Sequence, residues 1–327
     1  MTIAVVHAHG TAREMGRAQG GAFAGGIHEA LRFYSGFKHQ GADLGPYIDA
    51  ARGAAPSGAE EIEGIAEGAG ISIEEAWLLN CIEEVADFEA CTTIFHGRWL
   101  MHAEQWYAGH PAVGVVIAHP DDGPDFISPT GVGFLPAVGL NSSGFAQGID
   151  SLWARDDRVG VPRVVVSRES LGAPTLTEAI AAACMPGRAG GYAHTLVSAT
   201  ERVVVETSAT TEHVLRNTDV HTNHYLSPAP DVAPRPSKGS AARLARALEL
   251  LRDSPPQTID ECAKLLGDHT GTPQSICLHE NGRAAEATVF GMVCDVATGE
   301  VVVSDGPPCM GRWEEFRLPL SEAAVVE

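Results

Sequence analysis

The first 90 residues carry the patterning of helices, whereas the chain after Cys91 alternates apolar and polar residues with the period of strands. Three Ser/Thr-x-x-Glu sequences, which cap helix starts by pairing side chains with free amides, mark the early helices: Thr11–Glu14, Ser57–Glu60 and Ser72–Glu75. Period-two segments predict strands over residues 92–106, 113–119, 125–128 and 145–150. The chain therefore begins with helices and continues into sheet.

Strands and helices then come in blocks rather than one by one. Strands are predicted over residues 194–198, 203–207, 213–217 and 220–224, and again near 275–279, 286–294 and 300–304. A helix over 240–252 lies between these two blocks, with Leu244, Leu248 and Leu251 on one face. Such blocks favour an α+β sandwich, in which antiparallel sheets are covered by helices. We see no internal repeat or domain boundary, so residues 1–327 are predicted to form one domain.

The net charge of the chain limits the classes of molecule that it can bind. A formal charge of −20 over 327 residues disfavours nucleic-acid binding, because phosphate backbones would repel the protein. The 240–252 helix carries three arginines, Arg243, Arg246 and Arg252. They could form a basic patch, but we favour the interpretation that they are the solvated face of this helix. No apolar run is long enough for a membrane span and no secretory signal is visible. Seven cysteines without CxxC spacing suggest free thiols and a cytoplasmic location.

An ordered set of short motifs resembles the acyl-coenzyme A:6-aminopenicillanate (isopenicillin N) acyltransferase family along nearly the whole chain. The set begins with the helix entry at 10–16, the 61–68 helix and Cys91-Thr92-Thr93, and continues with Gln105-Trp106, Asn141-Ser142-Ser143-Gly144, Gly160-Val161-Pro162, His221-Thr222-Asn223-His224, Ser275-Ile276-Cys277 and Ala287-Thr288-Val289-Phe290. The resemblance implies the four-layer αββα sandwich of N-terminal-nucleophile hydrolases. It also implies an inactive precursor that cuts its own chain ahead of a nucleophilic cysteine.

In this sequence the implied cut lies between Ala90 and Cys91. Residues 1–90 would then be a helical pro-segment or α-subunit and residues 91–327 a β-subunit, held together as an αβ heterodimer of fragments. The new α-amine at Cys91, with an ordinary pKa of roughly 7.7–8.0, would take the proton of the thiol. The resemblance gives Asn223 the role of oxyanion donor, and a backbone amide within residues 148–150 is a candidate for the second donor.

Three positions depart from the family pattern. Tyr107 follows Trp106 where the penicillin enzyme has an aspartate, Ala285 replaces an arginine, and Ala90 replaces a glycine. Glu104 or Asp150 could restore the negative charge, and Arg283 the positive one. Thr93 shares the strand face of Cys91, where it either steers the scissile bond or simply packs.

The leading hypothesis is a cleaved enzyme that hydrolyses a small N-acyl amide, or that transfers an acyl group from such an amide or from a thioester, including one linked to coenzyme A. One alternative is an uncut enzyme that uses the Cys91 thiol to form a lactam or ester, and another is a binding protein on the same fold. No cofactor is expected. No metal is expected either, because His221 and His224 lack a third ligand at suitable spacing. Assembly into a homo-oligomer is also compatible with the sequence.

Overall fold

The computed structural model describes residues 3–35, 43–85, 91–227, 238–280 and 286–321. Its helices are α1 Ala12–Tyr34, α2 Gly45–Ala54, α3 Pro56–Ala69, α4 Ile73–Asn80, α5 Ile82–Val85, α6 Arg163–Leu171, α7 Leu176–Ala183, α8 Lys238–Asp253 and α9 Ile259–Leu266. A 3₁₀ turn spans Pro308–Met310.

The strands of the described residues form two sheets. They are β1 Ala4–Gly10, β2 Cys91–His96, β3 Trp99–Tyr107, β4 Val113–Pro120, β5 Phe126–Gly131, β6 Gly139–Asn141, β7 Phe145–Leu152, β8 Gly191–Ser198, β9 Arg202–Thr207, β10 Glu212–Arg216, β11 Val220–His221, β12 Glu286–Asp295, β13 Glu300–Ser304 and β14 Trp313–Arg317. The first sheet has the order β1-β4-β5-β6-β7-β8-β9-β10 and the second the order β11-β2-β3-β12-β13-β14.

The two sheets face each other across an apolar core and are covered on their outer sides by helices. Side chains of both sheets, including Leu100, Ile127, Leu140 and Phe290, meet in this inner core. Helices α1, α6 and α7 pack on the first sheet with α3 packed against α1, and α8 and α9 pack on the second sheet. The predicted αββα sandwich is therefore confirmed, although one pair, β1 with β4, is parallel.

Two of the three capping sequences form the caps that the sequence predicts. Thr11 with Glu14 and Ser72 with Glu75 form complete capping boxes. The prediction at Ser57 was wrong, because α3 begins at Pro56 and has Ala55 as its N-cap without a side-chain bond. Proline fits this first position because its missing amide hydrogen would have no intrahelical partner.

Other sequence predictions were also corrected. Residues 275–279 form bends and irregular backbone instead of a strand, and α2 and β14 were not predicted. In α8, Leu244 and Leu251 pack on the second sheet, but Leu248 is 46% exposed. Among the described helices, none combines the length and apolar character required to cross a membrane.

Candidate active site

The hairpin of β2 and β3 presents polar side chains to the space between the sheets. Cys91 lies opposite Glu104 in the register of these strands, and Thr93 lies opposite His102. Because side chains alternate across a strand, these four residues share the inner face. Thr92 instead faces α8, as its hydrogen bond to Arg243 shows. The prediction that Thr93 shares the face of Cys91 therefore fits the register.

A hydrogen-bond chain joins these four side chains. Cys91 Sγ donates to Glu104 Oε1 at 2.9 Å, and Glu104 Oε2 lies 3.0 Å from His102 Nε2. Since a carboxylate only accepts, His102 Nε2 carries the proton, and Nδ1 accepts from the hydroxyl of Thr93 at 2.9 Å. Glu104 is therefore held by His102 with one oxygen directed at the thiol.

The uncut chain keeps Cys91 as a neutral thiol. Its side chain is buried, with the residue 5% exposed. Burial, followed by the negative charges of Glu104 and Asp150, raises the pKa of the Cys91 thiol well above its ordinary value. Formation of a thiolate in this pocket therefore requires a new positive charge or a base that takes the proton during the reaction.

Asn223 contacts the backbone nitrogen of Cys91. This N–H donates to Asn223 Oδ1 at 2.9 Å, and Arg243 Nη2 donates to the same oxygen at 2.5 Å. Asn223 Nδ2 donates to the carbonyl of Ser151 at 3.1 Å. Because both neighbours of Oδ1 are donors, the orientation of the amide is fixed, and the second hydrogen of Nδ2 has no acceptor among the described residues.

Arg243 is part of this site and does not belong to a solvated helix face. The residue is 3% exposed and also donates from Nε to Thr92 Oγ1 at 3.1 Å. Arg246 and Arg252 do lie at the surface, where they pair with neighbouring carboxylates. Arg283, the expected positive charge, lies outside the described residues, whereas Arg243 supplies a positive charge directly beside Asn223.

His221 carries a positive charge behind the site. It lies between two buried carboxylates, 2.9 Å from Glu206 Oε1 and 3.5 Å from Asp150 Oδ2. Burial alone would lower the pKa of His221, but the ion pair with Asp150 and the hydrogen bond and charge of Glu206 outweigh it and raise the pKa to about 9. Asp150 is therefore paired with His221 rather than hydrogen-bonded to Cys91.

The buried charge of His221 should make stability depend on pH. Its pKa is higher when folded, about 9 against roughly 6.5 unfolded. The charged His221 therefore contributes about 3 kcal/mol to the free energy of unfolding. This contribution is fully present below pH about 6.5 and is lost as pH rises through about 9. His221→Gln should therefore lower the free energy of unfolding, measured with urea, by several kcal/mol at pH 6 and by much less at pH 10.

His119→Gln is the matched control, since His119 pairs with Asp125 at the partly exposed surface. His119→Gln should change the free energy of unfolding by less than about 1 kcal/mol at both pH values. If His221→Gln lowers the free energy of unfolding by the same amount at pH 6 and at pH 10, the histidine is not charged in the folded protein.

A narrow cavity of about 50 Å³, part of it open to solvent, lies beside this hydrogen-bond chain. Its apolar lining includes Leu79, Trp106, Phe134, Leu135 and Phe290, and its carboxylates are Glu83, Glu84 and Glu104. Burial raises the pKa of Glu83 to about 7. Because Glu104 lines the cavity and contacts Cys91, it connects the thiol to a space that suits an apolar group.

The structure brings together most of the residues singled out in the sequence. Cys91, Thr93, Glu104 and Asn223 form one connected cluster, and Trp106 lines the adjoining cavity. Tyr107 ends β3 and is not among the described residues that line the cavity. Ala90, the residue before the expected cut, lies outside the described residues, as does Ala285. The backbone amides at 148–150 lie in β7, and their role as a second donor stays a prediction.

Comparison with known families decides the class of protein. The model of the family "Acyl-coenzyme A:6-aminopenicillanic acid acyl-transferase" matches residues 114–307, which include Asn223 and Arg243 and begin after Cys91. The chain belongs to this family. The acyltransferase part of the predicted enzyme class is therefore confirmed in general terms.

Solved structures with a similar fold share little sequence with the chain. A mutant of the conjugated bile acid hydrolase from Clostridium perfringens is 9% identical, with a TM-score of 0.46 over 70% of this chain and 92% of that one. Penicillin V acylase from Agrobacterium tumefaciens is 13% identical, with a TM-score of 0.43. That match covers 71% of this chain and 88% of the acylase chain.

The same cluster also contains a set of potential metal donors. The ligand atoms of Cys91, His102 and Glu104 lie within 4.8 Å of one another. Three protein ligands with an open position could hold a soft divalent cation. The hydrogen bonds among these groups account for their arrangement without a metal ion.

Proposed function

We propose that the protein is a cysteine-nucleophile amide hydrolase or acyltransferase that matures by cutting its own chain between Ala90 and Cys91. The observation that carries this proposal is the double contact of Cys91: its thiol lies 2.9 Å from Glu104, and its backbone nitrogen lies 2.9 Å from Asn223. Both the sulfur and the nitrogen of one residue thus lie in a polar cluster where chemistry on the preceding peptide bond is possible.

Maturation would begin with the thiol. Glu104 takes the proton of Cys91 while the sulfur attacks the carbonyl of Ala90. The C–N bond then breaks, the nitrogen gains a proton and becomes the α-amine, and a thioester joins Ala90 to the sulfur. Water hydrolyses this thioester, which releases the Ala90 carboxylate and restores the thiol.

In the cut protein the α-amine would replace the peptide nitrogen beside Asn223. One of its hydrogens can still be donated to Oδ1, which leaves the nitrogen lone pair available to the thiol of the same residue. The resulting ammonium supplies the positive charge that the buried thiolate requires. Loss of the peptide group ahead of Cys91 also removes a covalent constraint on a residue that is 5% exposed in the uncut chain.

Turnover would use the same groups. The thiolate attacks the substrate carbonyl, and the free hydrogen of Asn223 Nδ2 donates to the developing oxyanion, which is worth about 3–4 kcal/mol for a preorganised donor. The leaving amine takes the proton from the ammonium, and an acyl thioester remains on Cys91. Water then gives hydrolysis, whereas a second amine gives acyl transfer.

The cavity supports a small substrate with an apolar acyl group. Its lining is largely aromatic and aliphatic, and its charged groups are carboxylates. These charges favour a neutral or cationic amine portion over a polyanionic one. A thioester donor linked to coenzyme A would place its phosphates outside this cavity.

A second candidate is an enzyme that stays uncut. It is favoured by one observation: Glu104 already contacts the thiol in the uncut chain and could act as the base without an α-amine. Such an enzyme would join groups within one substrate to form a lactam or an ester.

A substrate screen tests the proposed activity. p-Nitroanilides and thioesters of increasing acyl length should be hydrolysed by the purified protein, with apolar acyl groups preferred, and an added amine should divert part of the product into a new amide. If no acyl group of any length is released by protein that has cut itself, the proposed hydrolase or transferase activity is wrong. Turnover by a chain that remains whole would support the uncut enzyme instead.

A further inference from the structure

Two histidines and two cysteines meet at the protein surface, away from the Cys91 cluster. They are His269, Cys277, His279 and Cys309, and their ligand atoms all lie within 4.8 Å of one another. Cys277 is buried, and the other three residues are exposed. We propose that these four residues form a Cys₂His₂ site for a structural zinc ion.

The spacing of the four groups fits a tetrahedral zinc site. With Zn–N bonds of about 2.0–2.1 Å and Zn–S bonds of about 2.3 Å, neighbouring ligand atoms should lie roughly 3.3–3.8 Å apart. His279 Nε2 lies 3.1 Å from His269 Nε2, 3.2 Å from Cys309 Sγ and 3.8 Å from Cys277 Sγ. Adjustments of a few tenths of an ångström would complete the tetrahedron.

The contact between the two histidines is itself an argument for a cation. Two imidazole nitrogens at 3.1 Å can share only one hydrogen, and the two sulfur atoms beside them are weak hydrogen-bond partners. A zinc ion accepts a lone pair from each of the four atoms at once, and four protein ligands leave no open position. The site is therefore structural rather than catalytic.

Each part of the site is anchored separately by the fold. In the loop that follows α9, just before His269, Asp268 forms an ion pair with Arg246 of α8 through two hydrogen bonds, at 3.1 and 2.8 Å. On the other side, Leu278 exchanges hydrogen bonds with Thr288 of β12 through its N–H and its carbonyl. These anchors place His269, Cys277 and His279 before any metal binds.

Cys309 comes from a different part of the chain, the 3₁₀ turn between β13 and β14. This turn packs against the start of the loop, where a Cβ built at Gly267 would lie in van der Waals contact with Cys309, at 3.4 Å from its Cα and nitrogen. Zinc would therefore join the loop after α9 to this turn. The same loop accepts a hydrogen bond from Gln105, next to Glu104, at the carbonyl of Ile276.

This proposal differs from the expectation that the protein binds no metal. That expectation considered histidine pairs close in sequence, whereas this site takes its ligands from a loop and a distant turn. It does not depend on the proposed catalytic function.

Metal analysis of the purified, tag-free protein tests the site. After incubation with zinc and desalting, the wild type should retain about one zinc per chain. His269→Ala and Cys309→Ser should retain almost none, and both positions are exposed, so these variants should fold. His28→Ala and Cys184→Ser are controls outside the cluster and should bind zinc like the wild type.

Cobalt provides a second measurement. Co²⁺-loaded wild type should show the visible bands of a tetrahedral ion and thiolate-to-cobalt charge transfer, and Cys309→Ser should lose the charge-transfer band in part or altogether. Cys91→Ala should keep both signals, because Cys91 belongs to the other donor set. The proposal is overturned if Cys309→Ser keeps its zinc, if Cys91→Ala loses it, if the wild type binds none, or if mass analysis shows Cys277 and Cys309 oxidised to a disulfide in the isolated protein.

Discussion

Cys91→Ala is expected to leave the chain whole and to lower kcat/KM by at least about 10⁴-fold. The sulfur is the atom that attacks in both maturation and turnover, and alanine offers no nucleophile in its place. The substitution is small, and the backbone N–H at residue 91 can still donate to Asn223. Denaturing mass spectrometry and the preferred p-nitroanilide or thioester measure the two effects.

Cys294→Ala is the control for loss of a buried cysteine. Cys294 is fully buried in β12 and faces the inner core, so its variant reports any general effect on packing. It should cut itself and turn over at close to the wild-type rate after correction for folded protein. Turnover by Cys91→Ala within about tenfold of wild type would remove Cys91 from the mechanism.

Glu104→Gln is expected to slow chain cutting by about 10²–10⁴-fold, the range for loss of a positioned acid or base. Turnover should fall with it, because only the cut protein carries the α-amine that serves as the base. Glu104 lies 2.9 Å from the thiol and is held by His102, so the variant keeps the shape of the side chain but loses the negative charge. The rate of cutting is followed by mass after rapid purification, and turnover is measured across pH.

Glu104→Asp separates charge from position. The shorter carboxylate keeps the charge and should recover part of the rate, with its pH profile close to that of wild type. Glu300→Gln, at the half-buried start of β13, is a control carboxylate that should leave both rates unchanged. Equal rates for Glu104→Gln and wild type would show that Glu104 does not compensate for the aspartate absent at Tyr107.

The order of strands and helices was predictable because it depends on local patterns. The capping pairs at Thr11 and Ser72 involve residues one turn apart, and the alternation after Cys91 shows directly which side chains share a face. The same alternation could have identified His102, since it lies on one strand face with Glu104 and Trp106. Ser57 failed because Pro56 is the better helix start.

Arg243 and the cysteine–histidine cluster could not be predicted in this way. A helix pattern shows that α8 has two faces, but it does not show that Arg243 reaches Asn223, just after β11, while Arg246 remains at the surface. The four cluster residues are separated by up to 40 positions, and only the packing of the loop after α9 against the 3₁₀ turn brings them together.

Intact mass of freshly purified wild-type protein tests the central claim most directly. The account predicts two fragments, one ending at Ala90 and one beginning at Cys91, and the second fragment should gain the mass of the acyl group when the protein is quenched with a slow substrate. A single full-length mass that turns over substrate would contradict maturation by self-cutting, and an acyl group on any residue other than Cys91 would contradict the assignment of the nucleophile.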